Sequence, residues 1–503
     1  MTRSRTLGGS MAHGIAWMLL FKVVDRAVGF VSVIVLARLL VPADFGLIAL
    51  AMSAIALLDA LGAFGLETAL IQRADARREH FDAVWSFNVA NGALTGAVGI
   101  AIAWWVAAFY GDERLVAVMF VLSIARIVRG FENVGVVAFR KEMEFDREFR
   151  YLVAKRLTTT VLVTLPLAFV LHNYWALLIG TLAGTSIGVA LSYAMHPFRP
   201  RLSFAGIGPL LHFSKWLYLT SLIEFAHGRV ADVMVGRWTG AAAVGSLAMA
   251  RELARFPTQE LSAPVNRAVF PGYVKLAGDR GGLRRGYLKV TSALLLMILP
   301  AGVGLSLLAE PVTRALIGEK WLAAIPLIQV LSINGIMGVL LGTAYHVNLA
   351  VGMSRSTTMV LAIKIAIALP LMFWTIPEYG AQGAVLSMFV ALLATMPLNW
   401  LLLRRAIEFG WSEVTHILWR PLAGTVAMSA AVFATRYAWP TPAGLFEQVA
   451  YLAMLVTGGA LVYAVVVYLL WKPQSDPESA EAWALAQGRR ALAAAGARFA
   501  QRR

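Results

Sequence analysis

The chain has 503 residues, 59% hydrophobic and 14% charged, and contains no cysteine. Soluble globular proteins carry about 25% charged residues, so this balance points to a helical membrane protein with many spans. Disulfides, thiolate nucleophiles and cysteine metal sites are excluded. The net charge of +16 calls for no nucleic-acid partner, because cytoplasmic loops of membrane proteins collect Lys and Arg.

Apolar blocks long enough to cross a bilayer recur from end to end. They fall near residues 12–37, 45–70, 82–110, 115–138, 151–171, 174–195, 210–236, 243–268, 288–308, 322–348, 357–376, 380–403, 419–438 and 447–471. The first follows a basic start (Arg3, Arg5) and is too long and too charged for a cleaved signal peptide. It reads as the first of about 14 membrane helices. With a cytoplasmic N-terminus, "QRADARREH", "FRKEMEFDREFR", "HPFRPRLSF", "KLAGDRGGLRRGYLK" and "LRRAIEFGWSEVTHILWR" are all inside. About 26 Lys and Arg then lie inside, about 6 outside and about 12 within spans, which places both termini in the cytoplasm. The short external connections leave no room for a periplasmic catalytic domain. Residues 472–503 form a basic, Ala-rich tail, either a surface helix on anionic lipid or a solubilising end.

Sliding the chain by 199 residues aligns helices 1–2 with helices 7–8 without a gap. His13/His212, Trp17/Trp216, Gly29/Gly228, Arg38/Arg237 and Gly46/Gly245 coincide, and Asp25 meets Glu224. Six helices per repeat make the two lobes parallel, a geometry suited to alternating access. The expected fold is therefore an all-α polytopic membrane protein of two pseudo-symmetric six-helix lobes plus two C-terminal helices. Its divisions are an N-lobe at 1–196, a cytoplasmic linker at 197–209, a C-lobe at 210–403, helices 13–14 at 404–471 and the tail.

Charges inside the spans carry the chemistry. Lys22, Arg26, Gly29 and Val33 follow i, i+4, i+7, i+11 spacing, with Asp25 on the same face. A charge at the bilayer centre costs about 2.5–3.5 kcal/mol on insertion scales, so this stripe should face protein or water. Pairing Asp25 with Lys22 or Arg26 leaves one cation over. In helix 4, "ARIVRGFENVG" places Arg126, Arg129 and Asn133 on one face with Glu132 nearby. In helix 8, "ARELARFPTQELS" does the same for Arg251, Arg255 and Ser262, with Glu252 beside them. Lys364 stands alone in helix 11, and Lys215 and Arg229 extend the set. Lys155 and Arg156 lie within about a turn of the cytoplasmic end, where snorkelling is the default.

This cationic surplus points to an anionic ligand, held by Arg forks and Lys point charges as phosphates are. Asp25, Glu67, Glu132, Glu224 and Glu252 either bind a coupling cation or proton or serve as counter-ions. No phosphate loop, HExxH or metal cluster is present in the sequence. No bound cofactor is expected. The energy source stays open between Na⁺, H⁺ and the membrane potential.

With Ala37-Arg38-Leu39-Leu40 followed by Pro42, Asp44, Phe45 and Gly46, the first helix pair resembles the Wzx-type polysaccharide flippases. These belong to the multidrug/oligosaccharidyl-lipid/polysaccharide exporter superfamily. "REHFDAVWSFNVANG", Arg78 to Gly92, is similar to the matching segment of the colanic-acid-exporter branch. The resemblance implies V-shaped lobes around a central cationic cavity in the bacterial inner membrane. It implies transfer of polyprenyl-diphosphate-linked oligosaccharide to the periplasmic leaflet for exopolysaccharide or O-antigen assembly. Helices 13 and 14 would help to form an apolar groove for the lipid tail, and a polymerase and co-polymerase would be protein partners. Alternatives are a peptidoglycan lipid-precursor flippase, a multidrug/cation antiporter of the same superfamily, and a membrane polymerase or glycosyltransferase.

Overall fold

The computed structural model describes residues 7–62, 66–73, 75–142, 144–205, 225, 228–440, 442 and 444–472. Lys215, Glu224, His212, Trp216 and the tail beyond Lys472 lie outside the described residues. The described residues form helices and loops with no strand. They divide into two compact units, Met1–Gly245 and Ser246–Arg503.

In the first unit, α1 (Leu7–Leu39) and α2 (Pro42–Leu61) are joined by a tight turn. Pro42 opens α2, where a missing N–H costs nothing, and the Asp44 carboxylate accepts the Val41 backbone N–H at 3.2 Å. Next come α3 (Leu66–Gln72), α4 (Arg78–Ala101), α5 (Ala103–Tyr110) and α6 (Arg114–Gly130). A 3₁₀ turn, Val134–Val136, leads to α7 (Val137–Lys141). α8 (Phe145–Leu157) runs through a π-helical stretch, Thr158–Thr164, into α9 (Leu165–Leu171), and α10 (Trp175–Met195) follows. A helical segment at 228–239, here α11, and the first turn of α12 (Ala241–Arg255) complete the unit.

α2 and the start of α12 touch backbone to backbone. A Cβ on Gly46 would lie 1.7 Å from the Ala241 carbonyl oxygen, and one on Gly245 would lie 1.8 Å from that of Pro42. The 199-residue offset that maps Gly46 onto Gly245 also maps Pro42 onto Ala241, so the contact is reciprocal.

The second unit continues with α13 (Gln259–Lys275), α14 (Arg280–Leu307), the short α15 (Ala309–Val312) and α16 (Ile325–Ala350). After them come α17 (Ser354–Ile407), α18 (Trp411–Ala438) and α19 (Leu445–Trp471). α17 is 54 residues long but reverses at Gly380, whose φ of 55° and ψ of −135° suit glycine. Across the bend, Thr375 Oγ1 donates to the Gly383 carbonyl at 3.0 Å and lies 2.8 Å from Ser387 Oγ. α17 is thus a helical hairpin. Its two arms match the blocks at 357–376 and 380–403.

Eight helices among the described residues are long and apolar enough to cross a membrane, and α4 with α5, bent by 48°, gives a ninth. Trp105 and Trp374 are 80% exposed, and Phe169, Phe446 and Leu461 also lie open. Water penalises such surface, whereas lipid tails do not. The protein is a multi-pass, all-α membrane protein.

Three block boundaries need correction. The block at 45–70 ends as a helix at Leu61 and resumes only as the short α3. The block at 115–138 stops at Gly130, so Asn133 lies off the helix of Arg126 and Arg129. It caps the 3₁₀ turn instead, its Oδ1 accepting from Gly135 N–H at 2.9 Å. The block at 243–268 breaks between Arg255 and Gln259. Pro257 lacks the N–H that a continuous helix needs there, so Ser262 does not share a helix with Arg251 and Arg255.

Candidate functional site

α4 and α6 pack closely in the first unit. A Cβ on Gly130 would meet the Asn88 carbonyl oxygen at 2.8 Å, and one on Gly96 would meet Ile127 Cγ1 at 2.3 Å. This contact brings the last turn of α6 beside the end of α2. α8 presents Glu148, Tyr151, Leu152 and Lys155 at i, i+3, i+4 and i+7, one helical face. Between these elements lies a cavity of about 590 Å³. Asp59, Glu67, Glu132 and Glu148 line it, together with Arg126, Arg129, Arg140 and Lys155.

Three ion pairs tie these charges together. Arg126 Nε donates to Asp59, Arg140 Nε donates to Glu148, and Lys155 Nζ lies 3.0 Å from Glu132 Oε1. Tyr151 OH donates to the same Glu132 oxygen, and the Lys155 ammonium sits 5.6 Å from the Tyr151 ring centre. The Lys155 stem packs on Gly188 of α10, where a Cβ would meet its Cε at 2.5 Å. Lys155 is therefore drawn to an acid inside the unit, where snorkelling was expected. Arg129 is exposed and takes part in none of the three pairs. The eight charges sum to zero, unlike the cationic excess counted over the spans.

The sequence reading placed Arg126, Arg129 and Glu132 together, and the structure groups them here. It missed Asp59, Arg140, Glu148, Tyr151, Asn88 and Asn91. Asp59 carried a usable signal, as a lone carboxylate near the end of an apolar helix. Arg140 and Glu148 carried none, because they sit in a charged stretch where charge is ordinary.

On α1, Lys22 and Arg26 are exposed, while Asp25 pairs with Arg156 of α8 at 3.0 Å. The Arg156 Nη2 would lie 3.0 Å from a Cβ on Gly29, so the glycine leaves room for the guanidinium. In the second unit Arg251 is half-buried and Glu252 exposed. Arg255 Nε donates to Gln259 Oε1 at 3.1 Å across the Pro257 break. Lys364 is half-buried within the first arm of α17 and forms no ion pair among the described residues. Arg229 pairs with Asp232 at 3.5 Å, and Arg237 lies 5.7 Å from the Phe109 ring centre. Among the described residues no group of three or more His, Asp or Glu has metal-binding geometry.

The second unit holds an apolar groove of about 410 Å³. α14 supplies Leu295 and Leu299, α16 Ile336 and Leu340, the second arm of α17 Trp400, and α18 Ile417. No residue of α19 is among those lining it.

The segment Arg78–Gly92 has a second task besides lining the cavity. Asp82 Oδ1 accepts Arg201 N–H at 2.8 Å, and Ser86 Oγ accepts Ser203 N–H at 2.8 Å. Arg78 Nη2 donates to the Arg199 carbonyl at 3.0 Å, and Asn133 Nδ2 to that of Phe198 at 2.8 Å. Residues 196–205 are thus strapped to the first unit. His196 Nδ1 accepts Phe198 N–H at 3.1 Å, which requires an unprotonated Nδ1. Burial pushes its pKa below the ordinary histidine value, against the pull of Glu142 and Glu144.

A family model described as "Polysaccharide biosynthesis protein" matches residues 35–326, more than half of the chain and inclusive of the cavity. The chain belongs to this polysaccharide biosynthesis family. Among relatives of this family member, the lipopolysaccharide biosynthesis protein WzxC of Escherichia coli (strain K12) is 25% identical over 343 residues, covering 67% of this chain and 68% of its own. The succinoglycan biosynthesis transport protein ExoT of Rhizobium meliloti (strain 1021) is 24% identical, covering 65% and 66%. The lipid II flippase MurJ, in an inward closed conformation, shares the fold with a TM-score of 0.73 at 13% identity, covering 91% of this chain and 100% of its own. The resemblance of this polysaccharide biosynthesis protein to the Wzx-type flippases of the exporter superfamily holds.

Proposed function

We propose that the chain is a flippase of the bacterial inner membrane. It carries polyprenyl-diphosphate-linked oligosaccharide repeat units from the cytoplasmic to the periplasmic leaflet, by alternating access, for exopolysaccharide or O-antigen assembly. Lys364 carries this reading: a half-buried cation inside a membrane span, with no acid paired to it among the described residues. Such a charge is costly unless it serves a ligand, and an unpaired ammonium suits a diphosphate. Lys22, Arg26, Arg251 and Arg255 are the other candidate contacts for that anion. The ion pairs of Asp25 with Arg156 and of Glu132 with Lys155 support counter-ion roles for these two acids. The groove beside Leu295 and Leu340 suits a polyprenyl tail, having an almost wholly apolar lining. The names of the two relatives, in lipopolysaccharide biosynthesis and succinoglycan transport, support a polysaccharide precursor. A polymerase and its co-polymerase are the protein partners that this pathway needs.

The test is reconstitution of the full chain in liposomes with lipid-linked oligosaccharide extracted from cells lacking its gene. A membrane-impermeant glycosidase added outside should digest nearly the whole pool with the protein present, and only the outer-leaflet share without it. Lys364→Ala should slow the additional digestion. An inner pool that stays protected removes the proposal. Faster transport of a peptidoglycan lipid precursor than of the oligosaccharide lipid would transfer the assignment to the cell-wall rival.

A further inference from the structure

The first unit's cavity does not look like an anion site. Four carboxylates balance its four cations, and three of the cations are already held in ion pairs. An incoming diphosphate would meet Asp59, Glu67, Glu132 and Glu148 at close range and would have to compete for paired guanidinium groups. Like charges brought together in a space of low dielectric repel, so the lining selects against a compact anion.

The same lining suits a ligand rich in hydroxyl groups. Hydroxyls both donate and accept, and the cavity offers carboxylates as acceptors and guanidinium groups as donors, both charge-assisted. Asn88 and Asn91 add amides that do both. Glu148 has acceptor capacity to spare: it is 3% exposed, its Oε1 takes Arg140, and its Oε2 has no protein partner. Phe87 and Tyr151 supply apolar surface among these groups, the mixture found in small-molecule pockets. The volume of about 590 Å³ falls within the range of about 300–1,000 Å³ typical of sites that enclose a ligand.

We propose that this cavity seats the sugar portion of the lipid-linked substrate, apart from the cations that meet its diphosphate. The assignment rests on the flippase reading and adds a specificity site to it. Sugar choice then lies with Asn88, Asn91 and Arg129.

The experiment compares two probes on the full-length protein in lipid nanodiscs. One is undecaprenyl diphosphate, and the other is the oligosaccharide-bearing lipid extracted from cells lacking the gene. Asn88→Leu removes an amide of similar size, and Arg129→Gln removes a charge, while both leave the three ion pairs in place. Each should weaken binding of the oligosaccharide-bearing lipid by about tenfold and leave undecaprenyl diphosphate within about twofold of wild type. Size-exclusion profiles confirm folding, and if Asn88→Leu fails to fold, Arg129→Gln alone decides. An equal loss for both lipids, or no loss for either, overturns the sugar site. Wild-type protein that binds neither lipid refutes the flippase reading instead.

Discussion

In the first unit, about 590 Å³ of space is bounded by four carboxylates and four cations; in the second, about 410 Å³ is bounded by Leu295, Leu299, Ile336, Leu340 and their apolar neighbours. The two differ in polarity, while each has a wall that is also core. Leu295, Leu299 and Ile336 line the groove and also belong to a buried core cluster shared by α14 and α16. Groove and core are one structure there. The charges of the polar cavity mostly satisfy each other locally, which repays desolvation without adding much net stability. Leu66, Val134 and Val137 belong both to the cavity lining and to a buried core cluster, and helices nearby approach closely at small residues, as between α10 and the α8–α9 segment. Both walls are therefore part of the core, and the contrast lies in the charges that the first one carries.

This contrast can be broken by substitutions on either side. Leu295→Ala should have the largest effect, about 2–5 kcal/mol for a buried leucine, read as a lowered thermal midpoint in detergent. A wild-type midpoint would show that the groove wall is not part of the core. Gly184→Leu comes next, because a Cβ there would lie 2.2 Å from Thr159 Cγ2. Overpacking of this kind costs about 1–3 kcal/mol, and recovery of monodisperse protein should fall accordingly.

Asp59→Asn should cost less, about 1 kcal/mol, since Asp59 is 40% exposed although Arg126 is only 17% exposed. The double variant Asp59→Leu/Arg126→Met should be milder than the sum of the two single changes. Strict additivity would mean that the pair does not couple in solution. The smallest effect should come from His196. Its folded pKa lies below its unfolded value of about 6.5, so its contribution is fully present above that value. It is lost as pH falls through the depressed folded value. The thermal midpoint of the wild type should drop in that window more than that of His196→Asn, and parallel profiles would exclude the histidine from the strap.

The spans were legible because lipid demands unbroken apolar length, and a window of hydropathy detects that directly. Their ends were not, since helices such as α14 and α18 run on for a turn or more through Arg280–Leu288 and Trp411–Leu418, where polar residues continue the same hydrogen-bond ladder. The bends at Pro257 and Gly380 were visible as residue types, yet only the second fell at a block boundary. For the site, Arg126, Arg129 and Glu132 stood out as charges in apolar surroundings. Their partners did not, because pairs such as Arg126 with Asp59 or Asp25 with Arg156 join helices far apart in the chain. Spacing along one helix shows which side chains share a face, but not which acid waits opposite.

The reciprocal crossing of Gly46 and Gly245 bears on how such a chain can change its sequence. Each glycine is fixed by a carbonyl from the other helix, not by its own neighbours, so neither is free to change while the other keeps the contact. Loss of one glycine forces the two helices apart at both. Within the family, the pair should therefore be retained or lost as one character, even where the flanking residues of the two halves no longer resemble each other.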